Sequence, residues 1–280
     1  MENLELTKES AIAVLKIARP AALNALNSAT LQELTEVLDE IEKDDSVKVL
    51  ILTGGPDKKG NEFKSFVAGA DISEMVNFTA AEAKAFGMRA SVPFFKLQNM
   101  RQVTIAAVNG FALGGGCEIA MSCDIRIASE NATFGQPECG LGIIPGANGC
   151  ARATAIVGPA KAKQLVMLTE MIPGKQAYDL GLLNWYVEGD LALNEAAKGA
   201  KDAFKAAKKA GESNLDALKA AQKATEAEAA KAEYDAIYAK AVEVAQQLMK
   251  KPGCALAAAK AAINKAAIET VAAGKAAETS

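Results

Sequence analysis

Two glutamates twenty residues apart, Glu118 and Glu138, each stand beside glycines and could move protons. Glu118 follows Gly114-Gly115-Gly116 in GFALGGGCEIAM, and Glu138 lies in the loop-type segment FGQPECGLG. The run before the glycines, Val103 to Val108, is apolar and β-branched, as in a buried strand. It breaks at Asn109-Gly110, passes through the three glycines and opens into a helical pattern with Glu118 in its first turn. A strand that turns through glycine into a helix leaves backbone N–H groups free to meet a ligand. Two carboxylates near such a point can act as base and acid, if burial and mutual repulsion separate their protonation. Plainer readings exist for each part. The glycines alone make a tight turn, Glu118 alone complements a helix dipole, and Glu138 alone is a solvated loop acid. Sequence by itself does not place the two acids together.

The chain has no histidine, so Ser-His-Asp and Cys-His catalysis are excluded and a transition-metal site loses its commonest ligand. The five cysteines (Cys117, Cys123, Cys139, Cys150 and Cys254) form no CxxC pair and no zinc-like spacing. They read as reduced thiols, and no metal is expected. A formal charge of −3 offers no general attraction to nucleic acid or anionic membrane. No apolar run approaches the roughly 18 residues of a bilayer span. The N-terminal MENLELTKES has no apolar core of a secretory signal. The expectation is an intracellular, cytoplasmic protein.

The elements that must hold these residues follow from periodicity. Residues 12–17, IAVLKI, alternate as a strand and are closed by Arg19-Pro20. Ser28 is placed to cap a helix through about Lys43, with Leu31, Leu34, Val37, Leu38 and Ile41 on one face. Val47 to Leu52 is a short buried-type strand, followed by a polar loop, DKKGNEFKS. Thr79 to about Met100 is helical in pattern, with a kink or break predicted at Val92-Pro93. Strand, turn and helix thus repeat over residues 10–145, which indicates an α/β layered core.

After about Asp190 the composition turns to alanine, lysine and glutamate. Leu193, Ala197, Ala200, Phe204 and Ala207 share a helix face that ends at Lys208-Lys209 before Gly211. Ser213 or Asn214 would cap a second helix carrying Tyr234, Ile237, Tyr238, Ala241, Val244 and Leu248. Lys251-Pro252-Gly253 ends it, and a third helix is predicted from about Cys254 to Val271. The lysines of 198–223 are interspersed with acids and read as a solvated face.

Several separated blocks resemble the crotonase superfamily, in detail its short-chain enoyl-CoA hydratases. They are Arg19-Pro20 with Leu23 to Asn27, the run Phe66-Val67-Ala68-Gly69-Ala70-Asp71-Ile72, then GFALGGGCEIAM, CDIRIAS, FGQPE and GLGIIPG. Their order and spacing match over about residues 10–190. The resemblance implies an α/β fold with a crotonase-like core of repeated ββα units at 1–190, and the helical pattern after Asp190 adds an all-helical region at 191–280. It implies that the N–H groups of Ala70 and Gly115 bind a thioester carbonyl as an oxyanion hole. Glu118 would activate water, and Glu138 would protonate the α-carbon. Ala68, Asp71, Ile72 and Gly114 would lie against the acyl-CoA substrate, although Asp71 could equally cap the helix that follows it. Trp185, Tyr178 and Phe134 read as core or rim aromatics. No metal or redox cofactor is implied, since CoA belongs to the substrate, and a homo-oligomer, trimer or hexamer, is expected.

The chain departs from that pattern in three places. Residues 191–239 stand where relatives pass quickly to the next helix, the tail stops after IETVAAGKAAETS, and NGCARATAIVG replaces a more glycine-rich block. This regularity has the character of a redesigned chain. An inert scaffold, or an isomerase, decarboxylase or thioester hydrolase on the same oxyanion site, therefore stands beside hydration as an alternative.

Overall fold

The computed structural model describes residues 1–56, 64–210 and 215–278. Most of the expected 57–65 loop lies outside these residues, as do Gly211 and the proposed caps Ser213 and Asn214. The chain opens with strands β1 (Leu4–Glu9) and β2 (Ile12–Ile17), then helix α1 (Ser28–Lys43) and strand β3 (Val49–Gly54). Next come β4 (Ser65–Val67), α2 (Ile72–Met75), α3 (Ala80–Asn99), β5 (Val103–Val108), β6 (Phe111–Leu113) and α4 (Gly115–Ser122). After β7 (Ile125–Ser129) and β8 (Thr133–Gly135), a 3₁₀ turn at Pro137–Leu141 leads to α5 (Gly149–Met167). The core closes with β9 (Ile172–Pro173), α6 (Gly174–Asp179) and β10 (Trp185–Val187). Helices α7 (Leu191–Ala210), α8 (Leu215–Met249) and α9 (Gly253–Glu278) complete the described chain.

The strands form two sheets, ordered β1-β2-β3-β5-β7-β10 and β4-β6-β8-β9. The larger is parallel from β2 to β10, with β1 antiparallel at its edge. In the smaller, β4, β6 and β8 run parallel. Three passes of the chain, from β3, β5 and β7, therefore lay one strand in the large sheet, a short one in the small sheet, and then a helix. The core strands are apolar on both faces because both faces are covered. In β3, Leu50 and Leu52 enter the core shared with α1, α3 and α4. Val49 and Ile51 point the other way, against Ile237, Ala241, Val244 and Ala245 of α8. The alanine-rich region thus shares its core with the sheet.

Two buried polar groups pin that region down. Glu233 of α8, 2 % exposed, accepts from the Ser129 hydroxyl, the Asn131 N–H (2.8 Å) and Asn194 Nδ2 (2.7 Å). Lys260 of α9 donates to the carbonyls of Leu97 (3.0 Å) and Gln102 (2.9 Å) and pairs with Asp124 at 2.8 Å.

Three expectations need correction. The cap of α1 is Asn27: its Oδ1 accepts the Thr30 N–H at 2.9 Å, while the Ser28 N–H goes to Glu74 at 2.8 Å. Helix α3 runs through Pro93 without a break. A proline inside a helix costs about 3 kcal/mol, whereas Phe86, Pro93, Phe94 and Leu97 are all buried, and each large apolar side chain contributes about 1.5–3 kcal/mol. A capping box between Thr79 and Glu82 fixes its start. Helix α9 continues to Glu278, past the expected end at Val271.

Candidate active site

The first loop fixes the run after β4. The Asn24 side chain is buried and donates to the carbonyls of Ser65 (2.8 Å) and Gly55 (3.2 Å). The Ala68 N–H donates to Leu23 at 3.1 Å. A single parallel bridge then joins Leu26 to Ala70, in which Leu26 donates to Gly69 and accepts from Asp71. That pattern passes over the intervening Ala70 N–H. On the neighbouring strand Gly114 adopts φ +50° and donates its N–H to Gly135 at 2.9 Å. Gly115 then begins α4, where the N–H has no partner within the helix. A Cβ on Gly116 would lie 1.8 Å from the Val67 carbonyl oxygen, so α4 starts hard against β4. A Cβ on Gly115 would lie 3.6 Å from the Ala70 nitrogen, so the two amides are neighbours.

Ala70 and Gly115 line a cavity of about 320 Å³, together with Ala68, Ile72, Gly114, Glu118 and Glu138. Its inner wall is apolar, with Leu31, Phe86 and Phe94 buried. Its rim includes the exposed Ile72, Leu141 and Ile144.

Glu118 is 3 % exposed, and its Oε1 accepts the N–H groups of Ala147 (2.8 Å) and Gly149 (2.7 Å). Burial raises its pKa, against the opposing pull of those two amides and the charge of Arg152. Glu138, half-buried at the start of the 3₁₀ turn, is pushed up to about 7, first by burial and then by the charge of Glu118. A Cβ on Gly114 would lie 2.7 Å from Glu138 Oε1, so the acid packs onto the glycine turn. The buried Gln136 amide nitrogen, in the orientation that satisfies both side chains, lies 3.2 and 3.0 Å from the two Glu138 oxygens. The site thus holds two carboxylates with separately perturbed protonation beside two adjacent backbone donors. Such a site can polarise a carbonyl while one acid takes a proton and the other gives one.

The family model for enoyl-CoA hydratase/isomerase matches residues 7–239. The chain belongs to that family. It is 52% identical over 196 residues to the short-chain-enoyl-CoA hydratase of Clostridium acetobutylicum, covering 70% of this chain and 73% of the relative. It is 49% identical over 197 residues to the crotonyl-CoA hydratase of Syntrophomonas wolfei, covering 70% and 74%. Among solved structures, the enoyl-CoA hydratase of Bacillus anthracis superposes with a TM-score of 0.72 at 27% identity, covering 94% of this chain and 82% of that one.

Within this enoyl-CoA hydratase/isomerase fold, six of the expected site residues, Ala68, Ala70, Gly114, Gly115, Glu118 and Glu138, line one cavity together with Ile72 at its rim. Asp71 does not line it. Its carboxylate accepts from the Ser73 hydroxyl and N–H, capping α2, and pairs with Arg19 at 3.0 Å. Those contacts, the Ser73 hydroxyl foremost, lower its pKa. Cys117, beside Glu118, is buried and pushed up to about 12, so it stays a thiol. Among the described residues no group of three or more Cys, Asp or Glu is placed to hold a metal ion, and no helix is long and apolar enough to cross a membrane. Of the aromatics, Phe134 is core, while Trp185 and Tyr178 are exposed. Sequence reasoning did not find Ala147, Gly149, Gln136 or Arg152. Gln136 stood inside the matched FGQPE block. Gly149 and Arg152 lay in the block read only as a departure from the family.

Proposed function

We propose that this chain is an enoyl-CoA hydratase acting on short trans-2-enoyl-CoA thioesters such as crotonyl-CoA. Water adds across the double bond: its oxygen bonds to the β-carbon, a proton bonds to the α-carbon, and the product is the 3-hydroxyacyl-CoA. Glu118 takes a proton from the attacking water, and Glu138 delivers the α-proton. The Ala70 and Gly115 amides hold the thioester oxygen as negative charge develops on it. The observation that carries this reading is the convergence of both acids on the cavity that these two residues line. Glu138, pushed up to about 7, retains a proton to give near neutral pH, while two amides and the Arg152 charge oppose burial at Glu118. The same convergence argues against an inert scaffold.

The reaction balances with water alone and calls for no metal or redox cofactor; CoA enters with the substrate. Ala68, Gly114 and Ile72 bound the acyl-thioester, and Asp71 holds the loop through Arg19 and α2. A homo-oligomer, trimer or hexamer, goes with this reading. Its support is the exposed Leu141, Met167 and Leu168, on the two segments that meet where Gly140 approaches Thr169. Fatty-acid metabolism in the cytoplasm is the implied setting. The test is incubation with crotonyl-CoA followed by mass analysis of the product. A mass gain of one water, with the hydroxyl on the β-carbon, is expected. An unchanged mass or the release of free CoA would each overturn the assignment.

A further inference from the structure

Arg152 lies behind Glu118, 7 % exposed and outside the cavity wall. Its guanidinium donates through Nε and Nη2 to Gln98 Oε1 on α3, at 3.2 and 3.1 Å, and through Nη1 to the Ala147 carbonyl. It also sits 5.3 Å from the centre of the Phe95 ring. Among the described residues its hydrogen bonds all go to neutral oxygens, so this is a buried cation without an ion-pair partner. Such a charge is costly to bury. Stability alone gives little reason for it, because an apolar side chain of similar volume would fill the space.

What the guanidinium does reach is the loop that grips Glu118. Ala147 is shared between them: its N–H is on Glu118 Oε1 and its carbonyl is on Arg152. Gly149, the second donor to the same oxygen, is three residues from Arg152 at the start of α5. It has no room for a side chain, since a Cβ there would lie 2.8 Å from Glu118 Oε1. Gln98 ties the other side of the guanidinium to α3, which also lines the cavity. Arg152 therefore clamps the 147–149 loop between two elements of the site.

We propose that Arg152 is a positioning residue for Glu118: it fixes the Ala147 and Gly149 amides on the carboxylate and offsets its charge across the loop. This rests on the reading of Glu118 as the group that activates water. The electrostatics agree in both directions, for the charge on each of the two favours the charged form of the other. Other titratable groups facing Glu118 are Cys117 on α4, Glu138 on the 3₁₀ turn and Cys150 on α5, all neutral or anionic. Strands β4 and β6 carry no titratable side chain, and the charges of α3 are not among those acting on it. Arg152 is the cation that acts there.

The test is an NMR titration of the Glu118 carboxyl in carbon-13 glutamate-labelled protein, assigned with E118Q, for the parent, R152M and R152K. It is run beside the pH profile of crotonyl-CoA hydration. R152M is expected to raise the Glu118 pKa by about one unit, and to carry the acid limb of kcat/KM upward with it while KM stays close to the parent's. R152K keeps the charge and loses the fork, so its titration is expected to return toward the parent's with kcat still reduced. A folded R152M with the parent's titration would overturn the proposal, as would lost activity at an unmoved acid limb. If R152M does not fold, R152K decides: a parent-like titration with a reduced kcat supports the clamp, and a parent-like kcat overturns it. A parent without hydratase activity would refute the function proposed above, yet the titration would still decide whether Arg152 acts on Glu118.

Discussion

Exchanging Glu138 for glutamine removes an ionisable proton at nearly constant shape, and its effect on stability follows from the site's electrostatics. In the folded chain Glu138 is pushed up to about 7, chiefly by burial, from an ordinary value of 4.5. Between those two values the folded state binds more protons than the unfolded state, so the free energy of unfolding falls as pH rises. Above about 7 both states are ionised and the penalty is constant. A shift of two to three units sets a ceiling of about 3 kcal/mol. Partial exposure and solvent screening bring the expected value to about 2 kcal/mol. Glutamine has no such titration, so the difference between the two proteins reports Glu138 together with its coupling to Glu118. Urea unfolding of parent and E138Q is the assay, at about pH 4.5 and about pH 8, each side of the titration. E138Q is expected to gain about 2 kcal/mol on the parent between the two conditions. A difference that stays the same at both would mean that Glu138 titrates as an ordinary exposed acid, and the reasoning that makes it the proton donor would fail.

Three further outcomes are expected. Gly114→Ala forces a side chain at φ +50° with its Cβ 2.7 Å from Glu138 Oε1; kcat on crotonyl-CoA should fall by about 10²-fold, and a kcat close to the parent's would refute the packing described. Gly116→Ala drives a Cβ to 1.8 Å from the Val67 carbonyl oxygen, so thermal or urea unfolding should show a loss of about 3 kcal/mol or more. Glu233→Ala strips the acceptor from Ser129, Asn131 and Asn194. The expected loss is about 3 kcal/mol, with hydrogen exchange accelerating in α7 and α8 before the large sheet; uniform acceleration would contradict its role as the pin of that region.

Much of the site could be read in the sequence because its chemistry needs backbone as much as side chains. Glycines at 114–116 and the strand before them fix where α4 begins, and that places Glu118 and the Gly115 amide with no knowledge of the rest. The pairing of Glu118 with Glu138 was different in kind. It depends on β6 and β8 lying side by side in a sheet of two- and three-residue strands, too short to register as periodicity. Strand β1 was missed because LELTKE is an edge strand with only Leu4 buried, so its pattern resembles a polar tail. The break foreseen as one outcome at Pro93 does not occur, because buried packing prevails there over the local backbone rule. Arg152 was passed over because a lone arginine in an alanine-rich helix gives no sign that its guanidinium turns inward. The alanine-rich region is the reverse case. Its helices were plain from composition, while the docking of α8 on the sheet rests on Ile237, Ala241 and Val244 meeting strand faces that are distant in sequence.

The central claim is that Glu118 and Glu138 together add water to an enoyl thioester held by the Ala70 and Gly115 amides. The most direct measurement is the initial rate of loss of enoyl-thioester absorbance with crotonyl-CoA, for the parent, E118Q and E138Q side by side. The account expects rapid loss in the parent and a fall of about 10²–10⁴-fold in each variant, with both still folded. A parent that leaves crotonyl-CoA untouched, or a variant as fast as the parent, would contradict it.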